Sequence, residues 1–550
     1  MCHNKERIAL LGTILQRHAI QRSRVALEDP KMPTSSSALR PAPALAEHGF
    51  RLRSFVEHLT RMGEVEVITE NVDLVDVAAR LDENTKAVHF KSVGAEKAEL
   101  VGNVIGGRKR LAAAFGVGEQ DLLQEVLKRL QTSIAPIEVD QAEAPVQQVV
   151  LTGDDADFTR LPIHLQHALD GGPYISASID VSQNIEGRHR NIGYRRLMMR
   201  GRKEAGIDLI APSDMRAGYA GFVENGKPMP VAFVVGSHPA DSVAAVSMAA
   251  IDDEIALMGA LRGEAVPLVK CRTNDLMVPA DAEVILEGFI DARGWCEPEG
   301  PYGEYLGYYG HMKTNPVFHL TAITMRRDAL FQTATISGRA LGRTDTAQLC
   351  ALRTEVTAWS ALQSAIREPT NVYCPASTGG MYNLRVSMRQ RYPGEARNAI
   401  AGVFAAKADV KNVFVVDEDI DVFSDEQMEW ALATRFQGDR DLVVGSGFRT
   451  IPLDPSLLGS PTGSKVGFDL TLPFGWQGKS EFSVPAPPRL AVAPKMSVVN
   501  ALKSGPKLFR ELMEATGTRD GRDTAVAIDE VRKAGQLARK PDGRYAIKND

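Results

Sequence analysis

The run Trp295-Cys-Glu-Pro-Glu-Gly-Pro-Tyr-Gly-Glu-Tyr-Leu-Gly-Tyr-Tyr-Gly310 sets carboxylates among glycines, a proline and aromatic residues. Glu299 and Glu304 are five positions apart, so an uninterrupted strand would send them to opposite faces. Gly300, Pro301 and Gly303 interrupt that strand. A bend here turns both acids into one cavity, with Tyr302, Tyr305, Tyr308 and Tyr309 as its walls. Two carboxylates in a partly dry pocket do not both ionise cheaply, so one pKa is expected to rise and that group becomes a proton donor near neutral pH. The plain alternative is a Gly-rich loop with solvated acids, and spacing alone favours that loop.

Outward from this stretch, residues 146–335 read as short β-rich runs broken by Gly, Pro and Asn/Asp turns, with strands expected at 174–181, 197–200, 231–235, 284–290 and 318–325. Irregular strand lengths and many turns favour a closed or split barrel over a doubly wound sheet, and a barrel mouth suits a planar ligand. Helices are few here, at 241–250 and 252–261. Helix and strand alternate on both sides, which makes the fold class mixed α/β with three domains: 47–135, 136–345 and 346–500. Ahead lies an extension, 1–46, read as disordered. Behind lies 501–550, a helix at 503–516 followed by a charged tail read as an arm or unstructured end. Gly106 and Gly107, before a helix carrying Arg108 and Arg110, either cradle an anion or open a helix with a basic surface.

Lys plus Arg number 64 against 69 Asp plus Glu in 550 residues, so no global field draws the chain to nucleic acid or membrane. The longest apolar runs, 231–236 and 413–416, fall far short of the ~20 residues of a membrane span, and a soluble cytoplasmic protein is expected. Cys2, Cys271, Cys296, Cys350 and Cys374 are scattered without zinc-like spacing, which predicts reduced thiols, with Cys296 a packing residue. The acids of 417–421 suit a metal or, as strand-end residues commonly do, simply face solvent.

Several ordered motifs go further: Asn191-Ile-Gly-Tyr-Arg-Arg196, Pro212-Ser-Asp-Met-Arg-Ala-Gly218, Glu254-Ile-Ala-Leu-Met-Gly-Ala-Leu-Arg-Gly263, Glu299-Gly-Pro-Tyr-Gly-Glu304, Ala406-Lys407 and the run from Val413 to Val422. With them, residues 47–475 resemble the UbiD-type decarboxylases, which use prenylated FMN. The resemblance implies a central split-barrel flavin-binding domain and a C-terminal α/β oligomerisation domain. It also implies a homodimer or homohexamer, with a flavin prenyltransferase as cofactor supplier. Asn191, Asp214 and Glu254 match the family's ligands for Mn²⁺, or another divalent ion such as Mg²⁺ or Fe²⁺, bridging the cofactor phosphate. A hard cation taking carboxylate, amide and phosphate oxygens makes chemical sense. The family histidine is replaced here by Asp214, which adds negative charge. Ile192, Gly193, Tyr194, Arg196, Ser213, Ser247, Met248 and Lys407 complete the implied cofactor contacts, with K⁺ at the carbonyls near Met248.

By the same resemblance, Arg196, Glu299 and Glu304 form the catalytic set. Arg196 orients Glu299 and grips the substrate carboxylate, and Glu304 protonates the carbon that loses CO2. The implied reaction is the reversible, non-oxidative decarboxylation of an aromatic, heteroaromatic or α,β-unsaturated acid, possibly hydroxylated or CoA-linked, with Phe331, Ile336 and Leu341 near its pocket. Two rivals stand beside it: a metal-dependent hydrolase or glycosidase using the paired glutamates, and a non-catalytic flavin-binding subunit.

Overall fold

Short alternating strands bury one face only when a second layer or closure covers it, and here the central sheet closes on itself. The computed structural model describes residues 49–247, 253–407, 409–477, 484–490 and 496–548. Strands β1 (Val149–Thr152), β2 (Tyr174–Gln183), β3 (Arg190–Met199), β4 (Glu204–Ile207), β5 (Met229–Val235), β6 (Val284–Ile290) and β7 (Val317–Met325) form one sheet in the order β6-β5-β2-β3-β4-β7-β1. All its pairs are antiparallel, and β6 also pairs with β7. That last pairing closes six strands into a barrel, with β1 alongside. Phe233 meets Phe318 edge-on at 5.0 Å in a core that also holds Val231, Val235, Leu286 and Ile323. At Gly288, beside a bulge between β6 and β7, a Cβ would fall 2.0 Å from the His319 carbonyl, so only glycine lets the two strands approach.

Strand β3 is longer than its apolar pattern predicts, starting at Arg190 rather than at 197. Arg195 and Arg196 break the alternation, yet each finds a carboxylate within the barrel, Asp180 and Glu299 respectively. Helix Asp214–Glu224 is unexpected, because Gly218 and Gly221 weaken its helical signal; Ser213 caps it by accepting from the Arg216 amide. Helices Pro239–Val246 and Glu254–Arg262 answer the expectations at 241–250 and 252–261.

The N-terminal sheet runs Val65–Val72, Ala87–Val93, Ala98–Gly102 and then Phe331–Thr333, a strand delivered from beyond the barrel. Arg108 and Arg110 do not form a basic surface. Arg108 is buried and makes a two-pronged bond to Glu355 at 2.8 and 2.9 Å, tying this region to helix Asp345–Ala365. Arg110 is buried against Glu64 and the Thr85 carbonyl. The Arg108 guanidinium is thus spent on internal partners, whereas Arg110 uses only Nη1 and keeps Nε and Nη2 buried without a hydrogen-bond partner, so the basic-surface reading fails.

A mixed five-stranded sheet follows, in the order Pro369–Tyr373, Asn383–Met388, Asn412–Asp417, Thr462–Asp469 and Leu442–Arg449. Ala399, Ile400 and Val403 of helix Glu395–Ala406 pack on its Val386, Val413 and Val415. The acids after Asn412–Asp417 find protein partners: Asp417 accepts from the Leu472 amide, Glu418 pairs with Arg389 and Asp419 with Arg435. The C-terminal tail is not an unstructured arm. Helices Val498–Lys503, Phe509–Thr516 and Gly521–Lys533, with strands Leu537–Arg539 and Tyr545–Ile547, bury Val498, Leu502, Leu512, Ile528 and Val531 together. Thr524, Ile528 and Val531 lie at i, i+4 and i+7, an apolar stripe hidden among charges. Cys271, Cys350 and Cys374 are buried, but Cys296 is exposed rather than packed. Residues 1–46 and Met248 lie outside the described residues. Among those described, no helix is long and apolar enough to cross a membrane.

Candidate active site

The opening stretch folds as a two-tier hairpin: Glu297–Glu299 pairs with Lys313–Asn315, and Tyr302–Gly303 with Tyr309–Gly310. Between the tiers Gly300 takes φ +97°, a region open to glycine and strained for other residues. Gly310 also leaves room for an acid, since a Cβ there would sit 2.8 Å from Glu304 Oε1. The bend brings both glutamates to one guanidinium. Arg196, from β3, donates through Nε and Nη2 to Glu299 at 3.2 and 3.3 Å and through Nη1 to Glu304 at 3.1 Å. Its Nη2 also lies 3.0 Å from Asp208, and its Cζ sits 4.5 Å above the centre of the Tyr302 ring.

Four residues that sequence reasoning missed complete this network. Glu299, fully buried, accepts from the Tyr174 hydroxyl at 3.0 Å and Asn315 Nδ2 at 3.2 Å. Lys313 donates to Asp208 at 2.7 Å and Glu304 at 3.3 Å. Partial burial of Asp208 pushes its pKa up, but Arg196 and Lys313 beside it outweigh burial and hold it below the usual range. The expected tyrosine walls are only partly there. Tyr302 is buried and Tyr305 is largely so, whereas Tyr308 is 62% exposed and Tyr309 turns its hydroxyl to the Leu169 amide. Gly379 admits the C-terminal region against this hairpin, since a Cβ there would meet Leu306 Cδ2 at 2.6 Å.

A second cluster gathers at the far end of β3. Asp214 and Glu254 each open a helix, where the N-terminal dipole favours negative charge, and with His189 they place ligand atoms within 4.8 Å of one another. Glu254 is buried and accepts from the Ile192 amide at 2.7 Å. Burial, and then the charges of Asp214, Asp180 and Asp253, raise its pKa to about 7 against that hydrogen bond. No Lys or Arg among the described residues pairs with its carboxylate. Asn191 donates its amide nitrogen to Asp180 at 3.2 Å, leaving its amide oxygen free for a cation. His189 Nε2 is sealed from solvent without a hydrogen-bond partner. Two carboxylates, an amide oxygen and an imidazole with no resident positive charge fit a hard divalent ion well.

The other residues expected to contact a cofactor have the following surroundings. Gly193 makes room for Asp180, which a Cβ would approach to 2.7 Å; Tyr194 packs on the Tyr174 and Tyr302 layer. Ser213 accepts from Arg195 at 3.1 Å, and the Ser247 hydroxyl donates to the Val243 carbonyl. Lys407 ends helix Glu395–Ala406 and pairs with Asp409 at 2.9 Å. Lys465, fully buried, donates to the carbonyls of Phe404 and Lys407, capping that helix; burial lowers its pKa to about 8. With Arg353 on Asp409 as well, three cations face one carboxylate, a surplus of positive charge suited to an anionic group. A cavity of about 490 Å³, lined in part by Gln166, Ala334, Ile336, Arg339 and Arg343, backs onto the first network, since Gln166 accepts from the Tyr302 hydroxyl at 2.5 Å.

Comparison with known proteins settles what this arrangement belongs to. Three models of 3-octaprenyl-4-hydroxybenzoate carboxy-lyase match in order: the N-terminal domain over 56–130, the Rift-related domain over 137–340 and the C-terminal domain over 347–470. Anhydromevalonate phosphate decarboxylase of Methanosarcina mazei is 32% identical over 426 residues, 76% of this chain and 95% of that protein. The chain belongs to the UbiD family. Among solved UbiD-class structures, HmfF from Pelotomaculum thermopropionicum in complex with FMN superposes with a TM-score of 0.75 at 30% identity, covering 79% of this chain and 97% of HmfF. An evolved dimeric form of HmfF with prFMN gives 0.72 at 29%, covering 80% and 97%. The 3,4-dihydroxybenzoic acid decarboxylase of Enterobacter cloacae gives 0.75 at 26%, again covering 80% and 97%.

As a UbiD-class carboxy-lyase, the protein is an enzyme that breaks a C–COO⁻ bond, so neither the hydrolase nor the non-catalytic reading holds. The UbiD barrel also explains why Arg196, Glu299 and Glu304 meet, although β3 and the hairpin stand about a hundred residues apart in the chain.

Proposed function

We propose that this enzyme is a reversible, non-oxidative decarboxylase of an aromatic, heteroaromatic or α,β-unsaturated acid, with prenylated FMN as its organic cofactor. The observation that carries the reading is Arg196 clamped between Glu299 and Glu304 in a buried network. Prenylated FMN, when bound, supplies the electron sink that CO2 loss from an sp² carbon requires and that side chains cannot provide. Asn191, Asp214 and Glu254 would hold the divalent ion, Mn²⁺ or a similar one, that ties its phosphate to the barrel. Lys407 and its cationic neighbours would balance the remaining anionic charge.

The chain's own residues divide the rest of the work. Glu299 is fixed by donors from Arg196, Tyr174 and Asn315 and acts as the anchor that orients the guanidinium. Every guanidinium nitrogen of Arg196 already faces a carboxylate. A substrate carboxylate therefore takes a donor from Glu304 or Asp208, and Lys313 keeps a positive charge beside whichever is displaced. Glu304 then delivers its carboxyl proton to the carbon that has lost CO2, so that R–COO⁻ and H⁺ become R–H and CO2. Lys313, about a fifth exposed, links Glu304 to solvent for reloading.

Relatives act on 3,4-dihydroxybenzoic acid and on anhydromevalonate phosphate, so the family supports both aromatic and phosphorylated acids as screening sets. Self-association as a homodimer or homohexamer through the C-terminal sheet is supported by its edge strand Leu442–Arg449, which leaves Val444 59% exposed. The test is co-expression with a flavin prenyltransferase, the mass and spectrum of the released cofactor, and a CO2-release screen over these acids. Protein carrying the cofactor yet inert to every class would sink the proposal.

A further inference from the structure

In the second cluster the imidazole comes from a different place than the one first expected. The residue that opens helix Asp214–Glu224 is a carboxylate, and among the described residues the histidine within ligand distance of it is His189, in the turn that leads into β3. Three observations show that His189 is held in this position. Asn184 Oδ1 accepts from the amides of Arg188 at 2.9 Å and His189 at 3.2 Å, and the Asn184 amide donates to the His189 carbonyl at 3.3 Å. Next to it, Arg190 bridges to Asp253, the cap of the helix that Glu254 opens. The imidazole Nε2 is meanwhile shut off from water with nothing to bond to, a costly state for a polar atom unless a ligand completes it.

We propose that His189 supplies the imidazole ligand of this enzyme's divalent-metal site, completing a set with Asn191, Asp214 and Glu254. The inference rests on the metal-and-flavin reading above. Ligand atoms around an ion at 2.0–2.2 Å lie about 3–4.3 Å apart, so a cluster spanning 4.8 Å needs to contract by a few tenths of an ångström when the ion enters. Asp214, exposed on the first turn of its helix, is free to make that movement. The charge balance has a consequence. Asp214 and Glu254 contribute two negative charges and His189 and Asn191 none, so the protein alone neutralises a divalent ion. The ion is therefore held in the flavin-free chain, before any phosphate arrives. An imidazole among oxygen ligands also shifts preference away from Mg²⁺ and toward Mn²⁺ or Fe²⁺.

The test needs no turnover. Mn²⁺ is titrated into the full-length chain, with and without FMN, and bound Mn²⁺ is read by electron paramagnetic resonance. Electron spin-echo modulation then asks whether a ¹⁴N nucleus is directly coordinated. Wild type is expected to bind Mn²⁺ without FMN and to show ¹⁴N modulation. His189→Ala is expected to lose the modulation and at least about 10-fold in affinity, and adding Asp214→His to that variant should restore both. Bound Mn²⁺ without ¹⁴N modulation in wild type, or unchanged affinity in a folded His189→Ala protein, overturns the role of His189 and leaves the decarboxylase reading standing. Failure of wild type to bind Mn²⁺ in either form removes the metal site itself. CO2 release, measured separately, decides the reaction.

Discussion

The two charged clusters at either end of β3 are built on opposite plans. Around Arg196 every charged group is matched with a partner: Arg196 and Lys313, two cations, are shared among three acids, Glu299, Glu304 and Asp208, each acid has at least two donors, and Tyr174 and Asn315 take up remaining lone pairs. Around Glu254 they are unmatched, with two carboxylates, no lysine or arginine on Glu254 among the described residues, and an imidazole nitrogen left bare. A matched network holds its geometry without help and is ready to orient a substrate. An unmatched one stores a demand for a cation. The same barrel strand thus presents a fully partnered charge network at one end and an incomplete one at the other, which the proposed function assigns to reaction and to anchoring.

The comparison predicts different failures. Glu304→Gln keeps the shape of the matched network and removes its proton, so decarboxylation should drop on the order of 10²–10⁴-fold while Mn²⁺ and flavin stay bound. Turnover at the wild-type rate would show that the proton comes from elsewhere. Arg196→Met instead breaks the match, stranding Glu299 and Glu304 in the interior. Denaturant unfolding should record a loss of about 3 kcal/mol or more, as expected when one partner of a buried ion pair is deleted. A stability within experimental error of wild type would mean that the network is not dry.

A buried neutral group calibrates what an unmatched charge costs. His238 accepts from the Ala240 amide through Nδ1 to cap helix Pro239–Val246, and it is packed against the edges of Phe50 and Phe55. Burial, and then the guanidiniums of Arg262 and Arg129, lower its pKa to about 3. The unfolded chain, with an ordinary histidine pKa near 6.5, therefore binds more protons between about pH 6.5 and 3, and stability falls as the pH falls through that window. From pH 7.5 to 4.5 His238 alone should contribute a loss of about 2–3 kcal/mol, read as the difference between wild type and His238→Gln, which keeps an acceptor for Ala240. Asp208 makes no such contribution in this range. Its lowered pKa keeps its stabilisation intact above the ordinary aspartate value, to be lost only in stronger acid.

How much of this was legible in the sequence follows from how local each feature is. The barrel and the flanking α/β layers follow from strand and helix periodicity, and helix Glu395–Ala406 and strand Val284–Ile290 stand where that periodicity puts them. Glu299 and Glu304 stand out as acids set among glycines and a proline, whereas Arg196 and the grouping of all three are legible only through the family resemblance that their motifs carry. Tyr174 on β2, Asp208 just beyond β4, and Lys313 and Asn315 on one strand of the hairpin reach the same network with no motif of their own. The one available signal was register: in a hairpin pairing Glu297–Glu299 with Lys313–Asn315, polar residues at 313 and 315 lie two apart, on one face. His189 is hidden because, standing between Arg188 and Arg190, it carries no motif of its own, although it lies two residues before Asn191. Arg108 and Arg110 looked like surface charge because their partners, Glu355 and Glu64, are distant in sequence. The tail looked disordered because its apolar stripe is thin beside its charge.

The sharpest contrast between the two clusters comes from neutralising an acid in the unmatched one. Glu254→Gln keeps an oxygen to accept from the Ile192 amide while removing a buried negative charge that has no counter-charge. In metal-free protein this should leave the melting temperature unchanged or raise it slightly, by an amount worth no more than about 1 kcal/mol. Wild type should gain about 2.7 kcal/mol when Mn²⁺ is added to a hundred times its dissociation constant, and the variant should gain almost nothing at that concentration. It should also lose flavin on gel filtration. A metal-free Glu254→Gln protein that melts well below wild type would mean that Glu254 already has its match within the chain, and the two clusters would then be built on one plan after all.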